Sequence, residues 1–491
     1  MRIIHTSDWH LGQYFYGKSR AKEHQQFLTW LLAQVEKHNV DAVIVAGDIF
    51  DTGTPPSYAR EMYFDFVVNM HKLQCTLVVL AGNHDSVAML SESKSLLSHL
   101  STQVIPCAHS IDFTDFTDIS EDLKRSQSFI DEQVFYLRDK QGKPQAVLCA
   151  IPYIRPRDVI KSQAGQSSTD KQQSLQQAIS AHYQQLYIHA KTLAETPKSA
   201  TLPIIATGHL TTVGVSVSES VRDIYIGTLE AFPANAFPSV DYIALGHIHR
   251  AQKVAKTEHI RYCGSPIPLS FDEAKDHVEQ GGDSQKSVFL VEFLQNEDVN
   301  IDAERQVKNS TENTSLNVTP LFIPCFQPMA VIKTSFDNIA ATVQDLIDKS
   351  LTKSINNSYK QSEVNTAEKM WLDIEIESAD YLQDIQARID QLLAALPVEV
   401  LLVRRSKKAR QLMPHNQKKI TLDELTLEDV FNERLNKETW QTTDELERKT
   451  RLTNLFKTAV EEVNSSSSDV SRQLKKGINT AINENLSEEA K

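Results

Sequence analysis

The sequence predicts an α/β protein: a large layered domain, a smaller α+β domain after it, and helices towards the C-terminal end. Three observations predict it. Short apolar runs alternate with segments of helical periodicity through the first half of the chain. Many of these runs end in polar clusters of Gly, Asp, Asn and His, a pattern that puts reactive side chains on loops at strand ends. The composition is globular, with 491 residues, 41% hydrophobic and 23% charged. At roughly 150 residues per domain, this length favours two to four domains.

Taken in order, Met1–Ser7 is an apolar run that ends in polar residues. Residues 21–37 place Phe27, Leu28, Leu31, Leu32 and Val35 on one helical stripe. Asp41–Ala46 has a buried-strand pattern and ends at Gly47-Asp48; residues 57–73 are helical again. Thr76–Ala81 is another strand and ends at Gly82-Asn83-His84-Asp85. Ala146–Pro152, Pro203–Thr207, Val240–Leu245 and Val288–Phe293 read as further strands, and the Gln- and Ala-rich stretch 173–194 as a helix. Residues 111–133, 276–287 and 304–318 have loop compositions. A boundary in the last of these gives a large domain over 1–295 and a linker over 296–325.

The second domain, 326–411, has strand patterns at Met329–Thr334, Met370–Ile376 and Val398–Val403, with helices at Ile339–Ile347 and Tyr381–Leu393. It ends in a basic run: Arg404, Arg405, Lys407, Lys408 and Arg410. Such a run is either a solvated face or a strip for phosphate. Beyond it, Thr421–Glu424 has capping-box spacing. Leu427, Val430, Phe431 and Leu435 form one apolar stripe, and Leu452, Leu455, Phe456, Ala459, Val460 and Val463 a longer one. Residues 412–464 therefore read as helical, packed on their own domain or docked on a partner. Residues 465–491 read as a polar, flexible tail.

Composition excludes several classes. No apolar run approaches the ~18 residues of a membrane span. The N-terminus lacks the pattern of a signal peptide. Five scattered cysteines without a C-x-x-C read as reduced thiols, which fits a cytoplasmic protein with no membrane association. The net charge of −13 argues against a protein that grips nucleic acid by bulk electrostatics. It leaves room for an enzyme that holds phosphate locally through metal ions.

The chemistry is carried by five motifs: Asp8-Trp9-His10, Gly47-Asp48, Gly82-Asn83-His84-Asp85, Gly208-His209 and Gly246-His247-Ile248-His249. Asp8 and His10, like His247 and His249, are two apart and can face one side of extended backbone. Together the motifs offer two carboxylates, one amide oxygen and four imidazoles as ligands. A dinuclear centre needs such donors from several segments, with one anion between two cations about 3.5–4 Å apart. Alone, Gly-Asp is commonly a turn and Gly-His means little; the set of five, each after a strand-like run, is specific. The eleven histidines outside the motifs, including His5, His24 and His259, read as ordinary core or surface residues.

Seven stretches carry a wider likeness: HTSDWHLGQ at 5–13, AGDIFDTGTPPSYAR at 46–60, LAGNHDS at 80–86, TGHLTTVG at 207–214, YIALGHIHRAQ at 242–252, YCGSPIPLSFDE at 262–273 and LPVEVLLVRRS at 396–406. With them the chain resembles the calcineurin-like metallophosphoesterases and, within these, the bacterial SbcD family of nuclease subunits. The resemblance implies a four-layer α/β/β/α sandwich with an α+β capping domain and C-terminal helices. It implies that Asp8, His10, Asp48 and His249 bind one metal ion, and that Asp48, Asn83, His209 and His247 bind a second, with Asp48 bridging. His84 would then assist departure of the leaving oxygen, and Asp85 would orient His84 through a hydrogen bond. The family prefers Mn2+, whereas ligand softness alone allows manganese, iron or zinc.

The resemblance further implies 3′→5′ exonuclease action on duplex DNA ends and endonuclease action on hairpins and single strands, in replication and recombination. The implied partner is an SbcC-type SMC-like ATPase docked on the terminal helices, in a heterotetramer built on a homodimer of this chain. The metal motifs by themselves also fit a phosphoesterase acting on cyclic nucleotides or phosphoproteins. A non-catalytic scaffold is disfavoured, because every expected ligand and His84 are present.

Overall fold

The computed structural model describes residues 1–108, 130–160, 168–197, 201–221, 231–274, 285–295, 307–308, 314–356, 369–377 and 384–406, and then 431, 434–435, 445 and 448–456. Met1–Ser378 and Gln383–Ser406 form one compact unit; Ala379–Leu382 and Lys407–Lys491 form another.

Within the first unit lie two large sheets. One holds β1 (Arg2–Thr6), β4 (Ala42–Ala46), β5 (Thr76–Leu80) and β6 (Thr102–Ile105) as parallel neighbours. It is extended beyond β1 by antiparallel β13 (Ser287–Gln295), then by β15 (Thr314–Phe322) and β14 (Val307–Lys308). The other has the order β11 (Gln252–Lys253), β12 (Ile260–Tyr262), β10 (Tyr242–Gly246), β9 (Ile204–His209), β8 (Pro144–Cys149) and β7 (Val134–Arg138). Its four middle strands are parallel. β2 (Tyr14–Phe15) and β3 (Lys18–Ser19) make a small hairpin beside the sheets.

Three apolar cores define four layers. Helices α1 (Ala21–Lys37), α2 (Ser57–Lys72) and α3 (Val87–Ser98) cover the first sheet, with Phe27, Leu31, Phe66 and Leu90 packed in one cluster with Val43 and Val79. Ile3, Ile44, Val78, Leu148, Ile205 and Ala244 fill the space between the sheets. On the second sheet lies α4 (Ser168–Glu195), through Leu175, Ile179, Tyr183 and Leu186. This is the expected α/β/β/α sandwich. It also explains why β4 is an unbroken apolar run, Ala-Val-Ile-Val-Ala: it is buried on both faces.

The expectation of a linker over 296–325 is corrected. Thr314–Phe322 pairs along its whole length with Ser287–Gln295, so the layered domain runs past residue 320. Leu316 and Val318 join the core between the sheets. The strand escapes a composition-based reading because polar residues alternate with apolar ones, so that its content resembles a loop while its period is that of a strand.

In the smaller domain β16 (Met329–Thr334), β17 (Met370–Ile376) and β18 (Val398–Arg405) form a parallel sheet. Helices α5 (Ile339–Asn356) and α6 (Ile385–Leu393) share its core, where Ile339, Val343 and Ile389 meet Ile332, Leu372 and Ile374. The strands lie where the sequence puts them, and α5 runs about two and a half turns further. Phe15, Phe271, Ala274, Met329 and Trp371 form a separate cluster joining this domain to the layered one, with Phe15 and Trp371 stacked at 5.8 Å.

The basic run resolves in part. Arg404 grips the buried Asp373 with both ends of its guanidinium, through an Nε–Oδ1 bond of 3.0 Å and a second bond to Oδ2. It is thus the half-buried partner of a buried carboxylate, whereas Lys407, Lys408 and Arg410 lie outside the described residues. In the second unit the described residues are helical, and Phe431 stacks on Phe456 at 4.0 Å. The two terminal stripes therefore meet each other. The rest of 412–464 and the tail 465–491 lie outside the described residues. No described helix is long and apolar enough to cross a membrane, and all five cysteines are free thiols.

Candidate metal centre

The five motifs sit at the ends of β1, β4, β5, β9 and β10, at one rim of the two sheets; Gly208-His209 closes β9 itself, and the others lie on or run into the loops that follow. Four of their residues other than glycine have left-handed backbones: Asp8 (φ 54°), His10 (φ 48°), Asp48 (φ 52°) and His247 (φ 91°). Side chains other than glycine resist this region, so the surroundings must hold it in place. They do so with hydrogen bonds between loops: Asp8 N–H to Gly47 O at 3.0 Å, His10 N–H to Asp48 O at 3.0 Å and Leu11 N–H to Ile49 O at 2.9 Å. His247 N–H donates to Asp8 Oδ1 at 2.9 Å, tying the rim of one sheet to the other. Two glycines are fixed by space. A Cβ on Gly82 would land on the carboxylate and amide of Asp48, and one on Gly246 would land on the carbonyl of Ala46.

The candidate donor atoms lie close together in two groups. Asp8, His10 and His249 each bring one ligand atom within 4.8 Å of the others, as do Asp48, His209 and His247. Asp48 Oδ2 lies between the two groups, 3.7 Å from His10 Nε2 and 3.2 Å from His209 Nε2. Asn83 Oδ1 completes the second group, 2.9 Å from His209 Nε2 and 3.2 Å from His247 Nδ1. His10 Nε2 and His247 Nε2 are buried with no hydrogen-bond partner, an expensive state unless a cation takes them up. This set of two carboxylates, one amide and four imidazoles, all buried except the half-buried Asn83, fits two divalent cations.

The electrostatics follow from this crowding. Burial alone would raise the pKa of Asp48, but His209, and then His84, hold it well below the usual carboxylate range. Burial would lower that of His209, yet Asp48 raises it to about 9. His10 is likewise raised: burial works against the proton, and the Asp51 and Asp48 carboxylates outweigh it. Burial, reinforced by His209, pushes His247 well down.

His84 and Asp85 are placed differently from each other. The His84 ring stands edge-on to His10 at 4.7 Å, and its Nδ1 lies 2.8 Å from the carbonyl of Asp51. The expectation that Asp85 orients His84 by a hydrogen bond is corrected. The Asp85 carboxylate turns inward and accepts from the backbone N–H of Gly82 (2.8 Å), Phe50 (3.0 Å) and Ile49 (3.2 Å). A lone carboxylate beside three unpaired amides satisfies them first. Burial and the charge of Asp48 push its pKa up to about 6. The residue that holds His84 is Asp51, which also places Oδ1 3.2 Å from His10 Nδ1. Sequence reading missed Asp51; its signal is the second Asp of AGDIFD. It also missed Ser220 and Glu273, which face His249 Nδ1 at 2.6 and 3.3 Å. Arg155, from the loop after β8, donates to the Asp85 carbonyl at 3.2 Å and lies over the Tyr153 ring.

Comparison with known proteins agrees with this geometry. Residues 1–251 match the calcineurin-like phosphoesterase family. Residues 325–439 match the SbcD C-terminal family, described as the type 5 capsule protein repressor C-terminal domain. Over 436 residues the chain is 49% identical to the SbcD subunit of the SbcCD nuclease of Escherichia coli K12, covering 89% of this chain and 92% of that protein. The chain belongs to the SbcD nuclease family of calcineurin-like phosphoesterases. SbcD relatives in Rhodobacter capsulatus (33% identical over 282 residues; 56% of this chain, 64% of that one) and Bacillus subtilis (27% over 280 residues; 56% and 63%) are more distant. Membership makes the chain an enzyme of the hydrolase class. It favours the SbcD reading over a phosphoesterase for cyclic nucleotides or phosphoproteins.

Proposed function

We propose that this chain is the nuclease subunit of a DNA-processing complex and hydrolyses DNA phosphodiesters at a pair of divalent cations. Asp8, His10, Asp48 and His249 hold one cation; Asp48, Asn83, His209 and His247 hold the other, with Asp48 shared. The observation that carries this reading is the convergence of the two donor groups on Asp48 Oδ2. Bound there, the cations neutralise charge on the phosphate and lower the pKa of a water to make a nucleophile. Mixed oxygen and nitrogen donors suit manganese, the cation assigned in this reading.

The protein's own groups do the rest. A carbonyl only accepts, so His84 Nδ1 carries a hydrogen towards Asp51 O; in the imidazolium form Nε2 carries the second proton and would pass it to the leaving oxygen. Asp85 is a positioning residue: it ties the Gly82–Asp85 loop to the Ile49–Phe50 backbone and so fixes where His84 stands. The left-handed turns and the bonds between loops hold the donors before any ligand arrives.

The substrates are duplex ends, degraded 3′→5′, together with hairpins and single strands, as met in replication and recombination. A net charge of −13 leaves the grip on DNA to the cations, to a second copy of the chain and to a partner. That partner is an SbcC-type SMC-like ATPase docked on the segment 412–464, where Leu455 is 68% exposed. The name of the E. coli relative, which makes it one part of SbcCD, supports this assembly. Two copies of each protein make the heterotetramer, which works in the cytoplasm.

The test is cleavage of linear and hairpin-ended DNA with Mn2+, with and without the ATPase and ATP, against hydrolysis of small diesters. DNA is expected to be cut only with the metal. His84→Ala should lower cleavage by at least a hundredfold while both ions remain bound. Robust turnover of small diesters with intact DNA would defeat the reading.

A further inference from the structure

We propose that Glu273 is a positioning residue for metal binding, which with Lys286 fixes the ligand His249 at both its ring and its backbone. The inference rests on the two-cation reading above and goes beyond it to a residue outside the ligand set.

The geometry is specific. Glu273 Oε1 lies 3.3 Å from His249 Nδ1, and Ser220 Oγ bridges the same two groups, 2.6 Å from Nδ1 and hydrogen-bonded to Oε1. A carboxylate only accepts, so Nδ1 carries the hydrogen and Nε2 is the nitrogen left for a cation. On the far side of the carboxylate, Oε2 accepts from Lys286 Nζ at 2.6 Å, from Ser265 Oγ at 3.1 Å and from Leu269 N–H at 3.1 Å. Lys286 Nζ also donates to the carbonyl oxygen of His249 at 2.8 Å. Both members of one buried ion pair therefore touch the same ligand, one at its ring and one at its main chain.

The backbone of Glu273 is itself held. Phe271 and Ala274, on either side, are buried in the apolar cluster with Phe15, Met329 and Trp371, which leaves Glu273 facing inward. An isolated buried pair is a poor source of stability, since apolar residues of similar volume often serve as well. Aiming an imidazole at a cation is a role such residues cannot fill.

The experiment uses the full-length protein and Mn2+ as the probe, read by calorimetric titration and by the electron paramagnetic resonance signal of a coupled ion pair. Glu273→Leu combined with Lys286→Met removes both charges together and strands neither. We expect one of the two ions to bind 10–100-fold more weakly, the other to bind within about twofold of wild type, and the coupled-pair signal to fall. Glu273→Asp keeps the charge opposite Lys286, and with it the fold, while withdrawing the carboxylate by one methylene. It should weaken the same ion at least fivefold.

Wild-type binding of both ions in Glu273→Asp overturns the proposal even if the double variant does not fold. Equal weakening of both ions in either folded variant also overturns it, because that is the mark of a merely structural role. If the unmodified protein binds no pair of Mn2+ ions, the two-cation reading fails, and this inference falls with it.

Discussion

At the scale of single residues, the centre is a set of bases in competition for protons. Asp48 faces His209 at 3.2 Å, and the acid's charge raises the imidazole to about 9. Below that pH a cation must displace the proton in order to bind. Mn2+ affinity should therefore rise with pH, by up to about tenfold per unit for each proton displaced, between pH 6.5 and 8. Titration calorimetry in two buffers of different ionisation heat counts the protons; affinity that does not move with pH would contradict this account. The clustered residues proposed as ligands were legible in the sequence, because Asp-x-His, Gly-Asn-His-Asp and Gly-His-x-His are rare patterns at strand ends. Asp51, Glu273 and Lys286 were not, since an acid or a lysine in a loop has no spacing that marks its partner. The misplacement of Asp85 has the same origin. Adjacency to His84 suggested a bond, while the unpaired amides of Ile49, Phe50 and Gly82, distant or silent in sequence, took the carboxylate instead.

At the scale of elements, strand β1 joins the two sheets through a polar pair inside the core. His5 Nδ1 lies 2.9 Å from the Tyr242 hydroxyl and Nε2 lies 3.2 Å from the Leu245 carbonyl. The carbonyl accepts from Nε2–H, so a neutral ring that takes the tyrosine hydrogen at Nδ1 satisfies every atom. Burial pushes the His5 pKa down from 6.5 to about 3. The unfolded chain then binds the proton that the folded one refuses. Stability is complete above the unfolded value and is lost as pH falls from about 6.5 towards 3. At pH 5 the loss from His5 is about 2 kcal/mol. Urea unfolding at pH 7.5 and pH 5 should show a smaller acid loss in His5→Asn than in wild type, by about that amount. Equal pH dependence in the two proteins would remove His5 from the explanation. Sequence periodicity found β1, β4 and β5 because strands buried on both faces are unbroken apolar runs. It passed over β15 because Thr-Ser-Leu-Asn-Val alternates, and an alternating strand takes its meaning from the neighbour it pairs with.

At the scale of the whole molecule, the layered domain and the smaller domain share one compact unit, while the chain beyond Ser406 belongs to another. Aromatic and aliphatic side chains seat the smaller domain on the layered one, through Phe15, Phe271 and Trp371. The candidate metal centre is built from described residues before 407, whereas the proposed docking of the ATPase lies beyond them. Deleting 421–491 should therefore leave Mn2+-dependent cleavage of single-stranded DNA within about twofold and abolish co-purification with the ATPase. Undiminished co-purification of the truncated protein would move the docking surface elsewhere.

The order of residues was enough to establish the alternation of strands and helices, the five motifs and the seven candidate ligands among them. Local chemistry and period are written along the chain, and both survive without knowledge of neighbours. Folding settled the rest: which carboxylate meets which imidazole, that 314–322 is a strand, and that Arg404 pairs with Asp373. Those outcomes depend on groups tens to hundreds of residues apart, and a buried polar atom takes its role from whichever partner the fold brings within hydrogen-bonding reach.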